Sequence, residues 1–570
     1  MSAIPFTIFL IGIKEVTQMS ENMQNPVIGR TSATDRDPNT ADKFNFWITS
    51  DLIVNPFDIV ESEHFNNSKT YGLVTNLEHR TDATSHLANF VSNNFGSVSE
   101  EPNTPRVGAT LAKVNVMMND GGGKKPDGVY KDGIYMPVEN EKNVRFAEES
   151  GIHAALGIDT MKEENRIPAG LIKMSNEVEA VVYLDKSYVI GPESAHVNIS
   201  GISGLATKTS YAMFLLQSIL QKIDSSEFAV IIMNVKHGDL MKVDEPPAKL
   251  DEGQKALWLK LGLEPKPFQN VHYYLPRGKN GEANSFVQPR QHRLYGYELD
   301  DCIDKLDLLF SSIPDPTETI DSLVGEISNG LINKTTKSPW ARVQDWQSLL
   351  DGPPLFDNGK SQGLGDVKAS SVGKFRRHLR RMVKTRSTGI FTDRRSRNED
   401  HLAEAIQKIE GGHTYVVDIA KLQDHEQAFV FGDIIRTVYE MFAESDETLN
   451  LPKKVLIFVD ELNKYAPAGV KDSPLIEQIL DISERGRSLG VILISAQQFM
   501  SAVHPRVTGN SATKILGRST SSEVMQPDYR FLDQDLKLSV TRLSKGELLV
   551  QHAVFRQPVK IVFPMPAYKQ

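Results

Sequence analysis

Between a short apolar run and a helical pattern, the chain reads Ser200-Gly-Ile-Ser-Gly-Leu-Ala-Thr-Lys-Thr-Ser210. A phosphate-binding loop needs small residues whose backbone N–H groups turn inward, a helix N-terminus behind them, a lysine for the β/γ oxygens and a hydroxyl for Mg²⁺. Lys208 and Thr209 supply the lysine and the hydroxyl, and we expect the amides of residues 204–208 to contact the pyrophosphate. The stretch therefore predicts an α/β fold that binds a nucleotide.

The loop departs from the usual G-x-x-x-x-G-K-[ST] pattern in two ways. Thr207 stands where that pattern has a glycine, and Gly201 lies seven positions before Lys208 rather than six. Since a threonine disfavours the positive φ that glycine permits, a strand–helix turn without a ligand remains the alternative. The candidate nucleotide-binding residues are Gly201, Ser203, Gly204, Leu205, Ala206, Thr207, Lys208, Thr209 and Ser210.

An apolar strand that ends in two acids follows later in the chain, Lys453-Lys-Val-Leu-Ile-Phe-Val-Asp-Glu461. At the carboxyl end of a strand beside a phosphate loop, Asp460 can hold Mg²⁺ through water, and Glu461 can orient and deprotonate the attacking water. Thr209 and Asp460 are therefore the predicted metal ligands, and Lys208 and Glu461 are predicted catalytic residues. The two motifs together predict a nucleotide-binding site with Mg²⁺ and a water-activating acid.

A third motif, Asp481-Ile-Ser-Glu-Arg-Gly-Arg-Ser-Leu-Gly490, precedes the apolar strand Val491–Ser495. Gln497 follows that strand, where a polar side chain can sense the γ-phosphate. Arg485 and Arg487 are candidates for neutralising charge in the transition state, across a subunit interface. The alternative for the arginines is a solvated helix C-terminus whose dipole they complement.

Apolar runs alternate with helical patterns from about residue 187 onward. Runs such as Phe228–Val235 are typical of parallel strands buried on both faces, which predicts a doubly covered α/β sheet. Before them, short alternating runs with frequent turns predict a small β-barrel, and the run Val178–Leu184 is predicted as the last strand of this N-terminal region. The predicted divisions are a disordered leader at 1–25, a β-barrel domain at 26–186, an ATPase core at 187–240 and 411–570, and a mostly helical insertion at 241–410.

The phosphate loop, the strand ending in Asp460 and Glu461, and the stretch Glu484-Arg-Gly-Arg-Ser-Leu-Gly-Val-Ile-Leu-Ile-Ser-Ala-Gln-Gln498 together resemble the HerA/FtsK group of ATPases, HerA more closely. The resemblance is concentrated in 190–240 and 450–565. It implies a RecA-like P-loop core behind a small N-terminal β-barrel, in a hexameric ring that hydrolyses ATP and translocates or processes DNA. It also implies an effector docked on the barrel side, such as a nuclease or, in phage defence, a sirtuin-like protein.

Two other classes of function remain open. One is an oligomeric scaffold whose unusual loop binds nucleotide with little or no hydrolysis and which assembles an effector. The other is a membrane-linked DNA pump of the FtsK or conjugation type. Because no apolar run reaches the length of a transmembrane helix, the second class would need a separate subunit to anchor the ring.

A dense basic segment lies within the predicted insertion, Lys374-Phe-Arg-Arg-His-Leu-Arg-Arg-Met-Val-Lys384. Its apolar residues fall at helical spacing, and basic residues occupy much of the rest of the helix. Contact with DNA phosphates is one interpretation. Ion pairs with acids of a neighbouring subunit are the other. Further arginines follow at Arg386, Arg394, Arg395 and Arg397.

The composition of the chain excludes several classes of protein. The 570 residues carry a formal net charge of −9, which excludes a globally basic nucleic-acid coat. The single cysteine, Cys302, excludes a disulfide framework or a cysteine-ligated metal cluster and fits a reducing cytosol. The apolar run Ile4–Ile13 is too short to span a bilayer and lacks a positive n-region, so we expect a leader upstream of a natural start at Met19 or Met23. These features predict a cytoplasmic protein that does not enter a membrane.

Overall fold

The computed structural model describes residues 25–121, 133–202, 208–311, 313, 315, 317–444, 451–470 and 473–570. The expected leader at 1–25 lies outside these ranges except for Asn25. Five predicted nucleotide-binding residues, Ser203 to Thr207, lie outside them as well.

The first six strands of the described ranges close into an antiparallel β-barrel in the order β1-β2-β5-β4-β3-β6. Phe44 and Phe46, two positions apart on β2, share one face of the strand and belong to the buried core. The barrel strands are β1 (Gly29–Thr31), β2 (Lys43–Ile48), β3 (Ile59–Glu63), β4 (Lys69–Thr81), β5 (Gly108–Asn119) and β6 (Asn143–Phe146).

Thirteen further strands of the described ranges form one large sheet in the order β15-β12-β11-β16-β10-β17-β18-β9-β19-β20-β21-β7-β8. Neighbours from β15 to β19 are parallel, and those from β19 to β8 are antiparallel. The strands are β7 (Arg166–Lys173), β8 (Glu179–Asp185), β9 (Val197–Ser200), β10 (Phe228–Asn234), β11 (Val271–Pro276), β12 (Arg293–Tyr295), β15 (Glu399–Asp400), β16 (Thr414–Asp418), β17 (Lys454–Asp460), β18 (Val491–Gln497), β19 (Thr513–Leu516), β20 (Glu547–Gln551) and β21 (Val559–Val562). A separate hairpin pairs β13 (Phe356–Asp357) with β14 (Lys360–Ser361). The predicted α/β core behind an N-terminal β-barrel is confirmed.

Helices cover both faces of the parallel part of the sheet. On β17, Leu456 and Phe458 pack on the face that the helix Lys208–Lys222 covers, and Ile457 packs on the face that the helices Asp424–Ala443 and Pro474–Leu489 cover. The helices are α1 (His86–Ser92), α2 (Glu149–Ala155), α3 (Lys186–Val189), α4 (Lys208–Lys222), α5 (Glu252–Lys260), α6 (Thr319–Ile332), α7 (Trp346–Asp351), α8 (Ala369–Arg380), α9 (Leu402–Gln407), α10 (Asp424–Ala443), α11 (Pro474–Leu489), α12 (Pro505–Asn510), α13 (Ser521–Val524) and α14 (Gln534–Val540). None of the helices in the described ranges is long and apolar enough to cross a bilayer.

The run Val178–Leu184, predicted as the last strand of the N-terminal region, lies mostly in β8 at one edge of the large sheet. It lies in that sheet because its partner β7 packs against α4. Tyr211 Oη donates to the Ala169 carbonyl at 3.1 Å, and Ser218 Oγ donates to the Pro168 carbonyl at 2.7 Å. Strand β8 follows β7 through antiparallel pairing and so belongs to the sheet.

The segment 241–410 carries α5 to α9, and it also supplies β11, β12 and β15 to the other edge of the large sheet. These strands are two to six residues long, too short to give a clear alternating pattern. The segment is therefore partly a continuation of the sheet, while the division into domains stays a prediction.

Candidate nucleotide-binding site

The predicted phosphate loop begins where β9 ends, at the carboxyl edge of the parallel strands. Its first residue, Gly201, donates its backbone N–H to the Gln497 carbonyl at 3.3 Å, and Ile202 N donates to the Arg518 carbonyl at 2.8 Å. A Cβ on Gly201 would lie 3.0 Å from Gly517 Cα, so the close approach of these backbones requires glycine. The start of the loop is thus fixed between the ends of β18 and β19.

Lys208 is the first residue of α4, and its side chain is buried. Within the described part of the chain, Lys208 Nζ has no hydrogen-bond partner. Burial lowers the pKa of Lys208 despite the opposing attraction of Asp460 and Glu461. Because an unpartnered buried ammonium is costly, this group fits an anionic ligand such as a phosphate.

Thr209 and Asp460 meet across the site. Thr209 Oγ1 donates a hydrogen bond to Asp460 Oδ2 at 3.2 Å, and Asp460 is buried at the end of β17. A hydroxyl and a carboxylate are the oxygen ligands that Mg²⁺ uses beside nucleotide phosphates. The residues present therefore fit the predicted Mg²⁺ site. Ser210, also predicted to contact nucleotide, is buried in the first turn of α4.

Glu461 adopts a left-handed backbone conformation, with φ 56° and ψ 46°. Its backbone N–H donates to Asp460 Oδ1 at 2.9 Å, which ties the two acids together directly after β17. Glu461 is buried, with a solvent-exposed fraction of only 8%. A non-glycine residue in this conformation is strained, and such strain is common at functional sites.

Lys236 is a member of this cluster that the sequence analysis did not identify. It follows β10, the neighbour of β17, and its Nζ lies 3.6 Å from Asp460 Oδ2 and forms a short ion pair with Glu461 Oε1. Burial opposes its charge, but the attraction of Asp460 and Glu461 prevails, so the pKa of Lys236 is raised. The sequence signal was a lysine just after a buried strand, and its meaning depends on which strand lies next to it.

Gln497 lies at the carboxyl end of β18, which separates β9 from β17 in the sheet. Its side chain is fully buried, and Nε2 donates to Asn198 Oδ1 at 2.8 Å. Within the described part of the chain, Gln497 Oε1 has no hydrogen-bond partner. Gln497 is thus adjacent to the start of the phosphate loop and is held by Asn198, which the sequence analysis did not single out.

Arg485 and Arg487 are not brought together with the other predicted residues. Both lie near the C-terminal end of α11, which leads into the amino end of β18, whereas Asp460 lies at the carboxyl end of the neighbouring β17. Arg487 Nη1 donates to the Glu193 carbonyl at 2.5 Å, and Arg485 is exposed. Within one chain these arginines do not reach Lys208; their predicted role across a subunit interface stays a prediction.

The basic segment forms α8 and the helical turn that continues it. Its apolar side chains are buried as the helical spacing predicts. Arg376 donates to the Leu350 carbonyl at 3.0 Å, and Arg380 pairs with Asp351, so both have partners inside the chain. Other cations of the region have exposed side chains, namely Lys374, Arg377, Arg381, Arg386, Arg394 and Arg397.

No protein-family model matches the chain, and no curated protein matches its sequence. Among solved structures, the chain is similar to the bacterial conjugative coupling protein TrwB, at 12% identity and a TM-score of 0.42 over 68% of this chain and 88% of that one. It is similar to VirB4 of Thermoanaerobacter pseudethanolicus, at 15% identity and a TM-score of 0.41 over 71% of this chain and 97% of that one. It is also similar to the genome packaging NTPase B204 of Sulfolobus turreted icosahedral virus 2, at 15% identity and a TM-score of 0.22 over 29% of this chain and 72% of that one. These similarities are too low to assign a family or an activity.

Proposed function

We propose that the protein is a Mg²⁺-dependent ATPase that works as an oligomeric ring and moves DNA. The observation that carries the ATPase assignment is the contact between Thr209 Oγ1 and Asp460 Oδ2 beside the buried ammonium of Lys208, which has no hydrogen-bond partner among the described residues. A hydroxyl, two carboxylates and a lysine converge where a strand–loop–helix unit meets an acid-bearing strand. This set of groups suits a nucleoside triphosphate with its cation.

Each residue has a separate task in the proposed reaction. Lys208 would bind the β- and γ-phosphate oxygens, and Thr209 and Asp460 would hold the cation. Mg²⁺, when bound, neutralises charge on the phosphate oxygens. Glu461 would orient the attacking water and accept its proton on a carboxylate oxygen, while Gln497 would sense the γ-phosphate. Arg485 or Arg487 of a neighbouring subunit would stabilise charge in the transition state.

The proposal of DNA as the substrate of movement is supported by two features. One is the resemblance of the three sequence motifs to the HerA/FtsK group, from which the hexameric ring is also proposed. The other is the group of exposed arginines around α8, which can bind phosphates. We further propose a cytoplasmic protein whose barrel side docks a nuclease or a sirtuin-like effector, in DNA end processing or phage defence.

Replacing Glu461 with glutamine tests this assignment against the scaffold alternative. The variant keeps the size of the side chain and removes its ability to accept a proton, so a motor should bind ATP but lose turnover by about 100-fold or more. Mass in solution serves as the control for assembly. A scaffold would keep both assembly and its cellular function in the Glu461→Gln variant, and that result would contradict the motor.

A further inference from the structure

Lys236 contacts both acids of the candidate site, Asp460 and Glu461, but it has no task in the proposed hydrolysis of ATP. Its Nζ lies 3.6 Å from Asp460 Oδ2 and is paired with Glu461 Oε1. Two carboxylates on consecutive residues repel each other, and the ammonium between them offsets that repulsion. Lys236 therefore holds the two acids together.

The Asp460 oxygen near Lys236 is also the one that contacts Thr209. Asp460 Oδ1 accepts the backbone N–H of Glu461, whereas Oδ2 accepts the hydroxyl of Thr209 and lies near Lys236 Nζ. A cation held by Thr209 and Asp460 would use this same Oδ2. The side chain of Lys236 is 40% exposed, so its ammonium has room to leave toward solvent without disturbing the core.

We propose that Lys236 is a positioning residue that competes with the divalent cation for Asp460. Its ammonium lies near the Asp460 oxygen that the cation would use, and it must leave Asp460 when the cation binds with nucleotide. This inference rests on the proposed nucleotide site and adds to it a built-in dependence of nucleotide affinity on Mg²⁺ concentration.

The two charge effects of Lys236 have opposite signs. Without a divalent cation, its ammonium should attract the nucleotide phosphates and strengthen binding. With a divalent cation present, the same charge should repel that cation. It should therefore raise the cation concentration needed to strengthen nucleotide binding. A unit charge at about 4 Å, even in water, changes an equilibrium by about fivefold, so both effects should be measurable.

Equilibrium binding of a fluorescent ATP analogue, in EDTA and across a Mg²⁺ titration, tests the proposal. Lys236→Met should bind the analogue about fivefold more weakly in EDTA and should reach half-maximal Mg²⁺ stimulation at an about fivefold lower Mg²⁺ concentration. Lys236→Arg keeps the charge and should behave as the wild type in both titrations. A role confined to stability would instead shift the thermal unfolding midpoint without this pair of opposite changes.

A matched control is Lys453→Met, which removes a lysine paired with Glu227 at the opposite end of β17. It should leave both titrations unchanged. Identical titrations for Lys236→Met and the wild type would overturn the proposal, as would equal changes in Lys236→Met and Lys236→Arg. If the wild type shows no analogue binding that Lys208→Ala abolishes, the proposed nucleotide site itself fails, and this inference fails with it.

Discussion

Thr209 Oγ1 donates a hydrogen bond to Asp460 Oδ2 over 3.2 Å, although the two residues lie 251 positions apart in the chain. The contact joins the first turn of the helix behind the phosphate loop to the strand that ends in two acids. Replacing Thr209 with valine removes the hydroxyl and preserves the shape of the side chain. We expect nucleotide binding in EDTA to be unchanged and the strengthening by Mg²⁺ to be lost.

The serine variant is the control for this prediction, because Thr209→Ser keeps the hydroxyl. It should respond to Mg²⁺ as the wild type does in the same fluorescence titration. An unchanged response in Thr209→Val would show that Thr209 is not a ligand of the cation.

Removing the buried ammonium of Lys208 should stabilise the nucleotide-free protein. Burial lowers the pKa of Lys208, which means that the charged ammonium costs the folded state free energy. Lys208→Met keeps the apolar stem, and we expect its thermal unfolding midpoint to rise by a few degrees. A lower midpoint would mean that Lys208 serves the fold rather than a ligand. The nucleotide-induced rise in midpoint should disappear in the same variant.

Much of this site follows from the sequence, since each motif lies at the end of a recognisable strand. The apolar run before Asp460 and the run before Gln497 predict strands whose carboxyl ends carry polar residues, and those strands are β17 and β18. Which strands are neighbours is set by long-range pairing. The contact of Lys236 with Glu461 follows from β10 lying next to β17 and could not be read from the local pattern.

The edges of the large sheet were harder to predict for a related reason. An alternating edge strand such as β8 has the same sequence pattern in a barrel as in an open sheet. Which of the two it joins depends on the element that packs against it or pairs with it. Here Ser218 and Tyr211 of α4 fix β7, and β8 follows. Short strands such as β15 at the other edge carry too few residues to show any period.

Two buried histidines predict a steep loss of stability in acid. His552 Nε2 accepts the backbone N–H of Asp185 at 3.0 Å, and burial lowers the pKa of His552 to about 3. His196 Nδ1 accepts the N–H of Leu493 at 3.0 Å, and burial lowers its pKa to about 4. Both rings are neutral when folded, so their contribution is complete above the usual pKa of 6.5 and is lost as the pH falls toward these lower values.

Between pH 6 and pH 5, each of these histidines should lower the free energy of unfolding by about 1 kcal/mol per pH unit. Chemical denaturation at a series of pH values measures this slope. His552→Gln should remove about one histidine's share of it, whereas the exposed His86→Gln should leave the slope as it is. If His552→Gln leaves the slope unaffected, the contribution of His552 to the loss of stability in acid is contradicted.

The exposed arginines around α8 predict a salt-dependent contact with DNA. Arg377 and Arg381 lie four positions apart, at adjacent turns of the same helical segment. Changing both to glutamine should weaken duplex binding and lower the slope of log affinity against log salt by about 2. The matched control replaces Arg342 and Arg530, two exposed arginines outside this segment, and should leave the slope unchanged. Unchanged DNA binding together with a smaller particle in sedimentation would favour ion pairs between subunits instead.

The proposed site hydrolyses ATP to move DNA. The most direct test is ATP turnover by the purified wild-type protein with Mg²⁺, with and without duplex DNA, alongside its mass in solution and the Lys208→Ala variant. We expect turnover from a ring-sized particle, stimulated by DNA and abolished by Lys208→Ala. Turnover that is absent under both conditions, or that persists in Lys208→Ala, would contradict the proposal.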